Sequence, residues 1–341
     1  MKAVVKRARG DGFVELSDVP EPELDDGSVI LRVESAGICG SDIQILHDRF
    51  QGYAVPVIMG HEFAGTVESV GRDVTGVSPG DRVASETHAI ICGECRYCRT
   101  GLYNLCPHRR GFGYGTDGAF ARFVRVRKGI VHKLPEEVPL KEAALLEPLS
   151  VALNALTRNS RISPGESVLI IGPGPIGLFC LQVARLSGGI VSIVGTERSR
   201  PRLELATRLG AARTMYDDEL RKGVEEGGAL RNWFDVAVVA AGSASSFEAG
   251  LRATRPGGRL VYVGETTENG SFPLSLIERR NITVCGSFSH NWPVWEDAIA
   301  LAQHGLVDLR SLITHEFGLA DWRIAFETAE SRKGSKVLIR P

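Results

Sequence analysis

Val168-Leu169-Ile170-Ile171-Gly172-Pro173-Gly174-Pro175-Ile176-Gly177 decides the fold. An apolar run of strand length meets glycines at the spacing G-x-G-x-x-G, and Ile176 to Leu186 then carries the apolar spacing of a helix. Such glycines permit a tight turn, close approach of backbone to a pyrophosphate, and close packing of helix on strand. The helix N-terminus offers free N–H groups to phosphate oxygens. Gly172, Gly174 and Gly177, with Pro175 among them, therefore read as a dinucleotide-binding loop. Ser167 to Leu186 is also long and poor in charge, but Gly172-Pro173-Gly174-Pro175 would break a membrane helix in its middle.

Downstream of this loop strands and helices alternate. Val191-Ser192-Ile193-Val194 reads as a strand and Arg202 to Leu209 as a helix. Val236-Ala237-Val238-Val239 and Leu260-Val261-Tyr262-Val263 are further strands, with a helix between them ending at Arg255-Pro256-Gly257-Gly258; Ile282-Thr283-Val284-Cys285 closes the series. Repeated βα units predict an α/β domain, a doubly wound parallel sheet of Rossmann type covered on both faces. Glu197 follows the second strand, where a carboxylate accepts hydrogen bonds from both ribose hydroxyls and repels a 2′-phosphate, which favours NAD. NADP stays open, because Arg198, Arg200 and Arg202 are the groups a 2′-phosphate needs. The plainer reading makes Glu197 a helix cap and the arginines solvated.

Upstream, short strand signals such as Val29-Ile30-Leu31-Arg32-Val33 and Gly65-Thr66-Val67-Glu68-Ser69-Val70 predict a β-rich domain, partly a twisted barrel. The pattern changes near Glu147-Pro148-Leu149-Ser150, and the alternation stops after about Ser287. The tail, with Lys336-Val337-Leu338-Ile339 as a strand, is too short for a domain and is expected to complete the first one. The expected division is 1–150 with 288–341, and 151–287. A chain of 341 residues accommodates two such cores. A net charge of −1 gives no overall reason to bind nucleic acid or an acidic membrane. Met1-Lys2-Ala3-Val4-Val5-Lys6-Arg7 lacks the apolar run of a signal peptide, so the expected location is the cytoplasm.

Four of the seven cysteines crowd into one segment, Cys92-x-x-Cys95-x-x-Cys98 and Cys106. In a reducing compartment such a group binds metal more often than it forms disulfides. Four thiolates close a tetrahedral shell around Zn²⁺ and leave no place for water, the form of a structural site. An iron–sulfur cluster is the competing reading, although the gap to Cys106 is longer than ferredoxin spacing. A second donor set is Cys39, His61 and Glu62, all near glycines. Each is ordinary alone, as a buried thiol or a core histidine. Together they supply thiolate, imidazole and carboxylate, and three protein ligands with an open position make a catalytic zinc site. Glu147 is a further acid at the domain boundary.

With these motifs in view, the sequence resembles the zinc-containing medium-chain alcohol dehydrogenases, and among them the sorbitol/L-iditol dehydrogenase branch. Besides those quoted, the shared motifs include Cys39-Gly40-Ser41-Asp42, Gly60-His61-Glu62, Gly80-Asp81-Arg82-Val83, Glu147-Pro148-Leu149-Ser150-Val151 and Arg202-Leu203-Glu204-Leu205-Ala206. The resemblance implies that the β-rich domain is GroES-like. It implies that Cys39, His61 and Glu62 hold a catalytic zinc, with Glu147 as an approaching or exchanging ligand, and that Ser41 takes the substrate's hydroxyl proton. Ile176, Glu197, Arg202, Val263, Gly264 and Phe288 would contact the dinucleotide. A groove between the domains and a homotetramer are also implied.

Gln44 stands where polyol and threonine enzymes of the family commonly place a histidine, so the proton route must differ; His47 or water are candidates. The expected reaction is oxidation of a secondary alcohol, best a polyol or sugar alcohol, to its ketone. L-Threonine 3-dehydrogenase and glucose-type sugar dehydrogenases are the alternatives, and the threonine enzymes tend to carry an Asp-Pro-Phe-Gly-like segment in place of Glu147-Pro148-Leu149-Ser150. A dinucleotide-binding protein without catalysis is the remote alternative, since such relatives lose the ligands present here. Ile45, Phe50, Phe112 and His290 are candidate pocket residues.

Overall fold

Continuous runs of Val, Ile and Leu are buried on both faces only when helices cover both sides of a sheet. The computed structural model, which describes residues 1–266 and 269–341, builds this arrangement in one of its two compact units, Pro148–Ser289. Six strands run in the order Arg213–Tyr216, Ile190–Gly195, Ser167–Ile171, Phe234–Val239, Thr254–Tyr262 and Thr283–Gly286. Every pairing is parallel. Val168 stands opposite both Val191 and Val236, so Ser167–Ile171 is flanked on both sides. Strand order reverses there, and the carboxyl end of that strand is the ligand-binding switch point of such sheets.

Two details depart from the sequence reading. The strand Arg213–Tyr216 and the helix Asp217–Gly223 were not anticipated, because four residues of mixed polarity at a sheet edge carry little period. The helix Ala244–Ala253 ends before Arg255, and the segment expected to finish it belongs to the strand Thr254–Tyr262. Register jumps there, from Phe234 opposite Thr254 to Val236 opposite Arg259, so Arg255-Pro256-Gly257-Gly258 bulges out of the ladder. A bulge accommodates the proline, which has no N–H to donate.

The other unit comprises Met1–Glu147 and His290–Pro341. The division thus falls at Glu147/Pro148 and Ser289/His290, which puts Phe288 in the parallel-sheet unit. The ten-residue strand Ser28–Gly37 is its spine and pairs antiparallel with Glu62–Val70, Phe123–Arg127 and Lys336–Arg340. The last pairing inserts the chain's C-terminal strand beside Ala36 and Gly37. Leu31, Phe63, Phe112 and Phe120 are buried in the core beneath, each contributing about 1.5–3 kcal/mol relative to exposure. Ile45 and Phe112, two of the pocket candidates, are buried in this core, with 0% and 2% exposure. No helix among the described residues is long and apolar enough to cross a membrane.

Candidate active site

Strand register assembles the first donor set. Gly37 ends the spine strand and stands opposite Glu62, which opens the strand Glu62–Val70. Cys39 lies two residues beyond Gly37, and His61 directly precedes Glu62. The ligand atoms of Cys39, His61 and Glu62 all lie within 4.8 Å of one another. A Cβ at position 37 would fall 2.1 Å from Glu62 Oε2, so glycine there leaves room for the carboxylate. Asp42 Oδ2 accepts the Cys39 N–H at 2.8 Å and fixes the turn that aims the thiol.

Lys336, from the C-terminal strand, donates to both oxygens of Glu62 at 2.7 and 2.6 Å and to the Ile38 carbonyl at 3.2 Å. Its local sequence, a lysine at the start of a strand, carries no sign of this role. Burial alone would push the ammonium down; Glu62 and Cys39 beside it hold it up. Each Glu62 oxygen keeps a second lone pair for another partner. Burial also opposes charging of His61, but the Cys39 sulfur and the Asp42 and Glu147 carboxylates outweigh it and push the imidazole well up. His61 Nδ1 and Asp42 Oδ1 lie 3.9 Å apart, both buried and without a hydrogen-bond partner among the described residues. A thiol, an imidazole and three buried acids set against one lysine make an environment that a divalent cation completes. Thiolate, imidazole and carboxylate are the donors of Zn²⁺.

Glu147 is buried in the first turn of the helix Leu146–Leu153. It stands outside the close trio, and its Oε1 meets His290 Nε2 at 3.1 Å. Burial opposes its ionisation, yet His290 and the charges of His61 and Lys336 hold the carboxyl down. Ser41 is buried in the first turn of the helix Gly40–Leu46. Of the pocket candidates, Phe50 packs on Tyr114 at 5.2 Å, and Tyr114 stands 6.2 Å from the His61 ring. His47, a candidate relay, instead bonds Asp11 at 2.7 Å and Glu330 at 2.8 Å. Both ring nitrogens are engaged by exposed carboxylates.

The second donor set lies in one short lobe. Cys92, Cys95, Cys98 and Cys106 place their sulfurs within 4.8 Å of one another, with Cys92 at 3.9 Å from Cys98 and 3.6 Å from Cys106. A tetrahedron of Zn–S bonds of about 2.3 Å has edges of about 3.8 Å. The spacing suits one ion and leaves no room for an iron–sulfur cluster between the sulfurs. Backbone N–H groups of Cys95 and Glu94 hold Cys92 down at about 6, while burial and the neighbouring thiols push Cys98 up to about 12. Four thiols this close cannot all ionise without a cation, which is the demand a metal meets.

In the parallel-sheet unit the glycine loop has the geometry its sequence requires. Gly172 has φ +107°, a left-handed conformation that glycine adopts without strain. A Cβ on Gly177 would lie 1.9 Å from the Gly172 carbonyl oxygen, whereas around Gly174 there is open space. Pro175 and Ile176 open the helix Pro175–Leu186, capped by Gly174. Glu197 follows the strand Ile190–Gly195, and its exposed carboxylate pairs with Arg200 at 3.0 Å. Arg202 lies in the helix Arg200–Arg208; Val263 and Gly264 follow the strand Thr254–Tyr262, and Phe288 is 54% exposed.

Comparison with known proteins matches residues 25–136 to the alcohol dehydrogenase GroES-like domain and residues 175–304 to the zinc-binding dehydrogenase family. A sorbitol dehydrogenase from Halalkalibacterium halodurans is 37% identical, over 100% of this chain and 99% of its own. An L-threonine 3-dehydrogenase from Streptomyces coelicolor is also 37% identical, over 99% of each chain. Among solved structures, a zinc-binding dehydrogenase from Sinorhizobium meliloti 1021 bound to NADP superposes with a TM-score of 0.91 at 30% identity, covering 100% of this chain and 99% of that one. A GroES-like domain and a Rossmann domain in one chain, with this identity along the full length, place the protein in the family of zinc-dependent, NAD(P)-dependent alcohol dehydrogenases.

Proposed function

We propose that the chain oxidises a secondary alcohol of a polyol or sugar alcohol to the ketone, passing a hydride to NAD and releasing a proton. The observation that carries this reading is the convergence of Cys39, His61 and Glu62 within 4.8 Å, beside a buried Glu147. In this reading the unit Met1–Glu147 with His290–Pro341 carries the metal chemistry, and Pro148–Ser289 binds the dinucleotide. Cys39, His61 and Glu62 hold the catalytic zinc, with Glu147 as a further or exchanging ligand, and the cysteine lobe holds a structural zinc. When bound, zinc supplies Lewis acidity towards an alcohol oxygen, and the nicotinamide supplies a hydride acceptor.

The chain's own residues do the rest. Burial pushes the Glu62 carboxyl up, Lys336 opposes that shift and fixes the carboxylate, and Asp42 fixes the Cys39 turn. Ser41 takes the hydroxyl proton. Gly172, Gly174 and Gly177 admit the pyrophosphate to the helix N-terminus, and Glu197 accepts from the ribose hydroxyls, which favours NAD over NADP. Ile176, Arg202, Val263, Gly264 and Phe288 complete the dinucleotide contacts. Glu147, whose carboxyl is held down, favours a polyol over threonine: an extra hydroxyl donates to it, whereas a substrate carboxylate meets like charge. We further take the chain to be a cytoplasmic homotetramer, the assembly being measurable by light scattering.

The test is the initial rate of NADH formation across sorbitol, xylitol, L-threonine, glucose and a simple secondary alcohol at saturating NAD. A polyol is expected to lead; L-threonine or glucose leading would overturn the substrate reading and keep the metal site. Cys39→Ser is expected to lower kcat by at least about 10³-fold with NAD affinity unchanged. Retained turnover would remove the catalytic-zinc assignment.

A further inference from the structure

The hydrogen bonds around His290 set which of its ring nitrogens accepts and which donates. Trp295 Nε1 lies 2.8 Å from His290 Nδ1, and both residues are fully buried. An indole N–H only donates, so His290 Nδ1 accepts and carries no proton. The ring proton is therefore on Nε2, which points at Glu147 Oε1 at 3.1 Å. His290 thus aims its Nε2–H at the carboxylate beside the trio. Its backbone is held as well: His88 Nε2 meets the His290 carbonyl at 2.7 Å, and Arg109 Nε donates to His88 Nδ1 at 2.6 Å. The same bonds exclude a metal from the neighbouring Glu86, His88 and His290 group, whose ligand atoms also lie within 4.8 Å of one another. His88 Nδ1 accepts from Arg109 and His88 Nε2 donates to a carbonyl, so no ring lone pair remains for an ion.

We infer that His290, locked as the Nε2–H tautomer by Trp295, is a positioning residue that clamps one oxygen of Glu147 and leaves the other for the metal or a substrate hydroxyl. It does not relay protons, because a relay needs an exchangeable partner on the second nitrogen and an indole N–H does not ionise. The inference rests on the assignment of Glu147 to the zinc site and adds what decides the orientation of that acid. Outer-sphere partners of metal-site carboxylates and imidazoles fix geometry in this way.

Two measurements test it. Histidine-selective ¹⁵N NMR of the wild-type chain reads the tautomer directly and needs no turnover. An Nε2–H ring whose Nδ1 accepts is expected at His290; a proton on Nδ1 would overturn the inference. Zinc affinity by chelator competition, the visible spectrum of the cobalt-substituted enzyme, and kcat are then compared for His290→Phe and His290→Gln. The phenylalanine variant is expected to lose about 10- to 100-fold in zinc affinity or kcat and to shift the cobalt bands. Glutamine, whose amide can place an N–H near the Nε2 position, is expected to restore most of both. Equal losses in the two variants would mean a packing role, and no loss in a folded His290→Phe would mean no role; either overturns the inference. A wild-type chain holding no zinc outside the cysteine lobe would instead overturn the proposed function, and the inference with it.

Discussion

Lys336 and Glu62 form a pair in which both side chains are almost wholly out of solvent, at 2% and 1% exposure. Removing one partner of such a pair leaves the other charge buried and uncompensated, a loss of about 3–5 kcal/mol. Lys336→Met, close in volume and unable to donate, is expected to lower the urea-unfolding free energy of the metal-depleted chain by about 3 kcal/mol. It is also expected to weaken zinc retention, because Glu62 is then free to turn. An unchanged unfolding midpoint would show that the pair is neutral for stability. None of this was legible locally: the lysine acquires its role from a residue 274 positions away. Cys39, His61 and Glu62 were legible as donor types, and the structure adds their convergence.

At the level of elements, Asp235 ties the starts of three strands together. Its Oδ2 accepts from Ser167 N–H and hydroxyl at 2.8 and 2.6 Å, and its Oδ1 from Arg255 Nε at 2.6 Å. Burial opposes ionisation, but the Ser167 and Arg255 bonds outweigh it and hold the carboxyl at about 2, below its ordinary 3.8. A folded-state value below the unfolded one stabilises the fold at pH above the unfolded value, and that stability is lost as pH falls through the folded value. The contribution is therefore complete above about pH 4 and fades towards pH 2. Asp235→Asn is expected to cost about 2 kcal/mol at pH 7 and markedly less near pH 3. Paired thermal melts at the two pH values measure this, and an equal gap at both would exclude the linkage. The strands Ser167–Ile171 and Phe234–Val239 were readable from their apolar runs, whereas the edge strand Arg213–Tyr216, with little burial to impose a pattern, was not.

For the molecule as a whole, the cysteine lobe has little apolar core of its own, and in the proposed reading a metal on its sulfurs holds it. Its helical pieces span only Arg96–Arg99 and Tyr103–Leu105, while Tyr97, Leu102 and Leu105 are exposed. Yet Tyr103 bonds both oxygens of buried Glu86 at 2.8 Å and Arg109 bonds His88, which holds the His290 backbone. The lobe is thus joined to the Glu147 environment. Cys92→Ser is expected to reduce bound zinc from about two to about one per chain by elemental analysis. It should also open Arg96 and Arg99 to trypsin and lower kcat. Unchanged zinc content would assign both ions elsewhere, and resistance to trypsin would show a lobe that folds without metal.

What the sequence determined by itself is local: the glycine loop spans a few residues, the four cysteines lie within one segment, and the βα alternation follows from apolar periodicity along single elements. Spacing of that kind is imposed by backbone geometry and metal coordination, so it survives in one dimension. Only the tertiary structure decided which groups surround the donors. Strand register brought Lys336 to Glu62, the return of the C-terminal segment brought His290 within reach of Glu147 across 143 positions, and Asp11 and Glu330 claimed His47. Those choices depend on the packing of elements distant in sequence, and no periodicity along the chain records them.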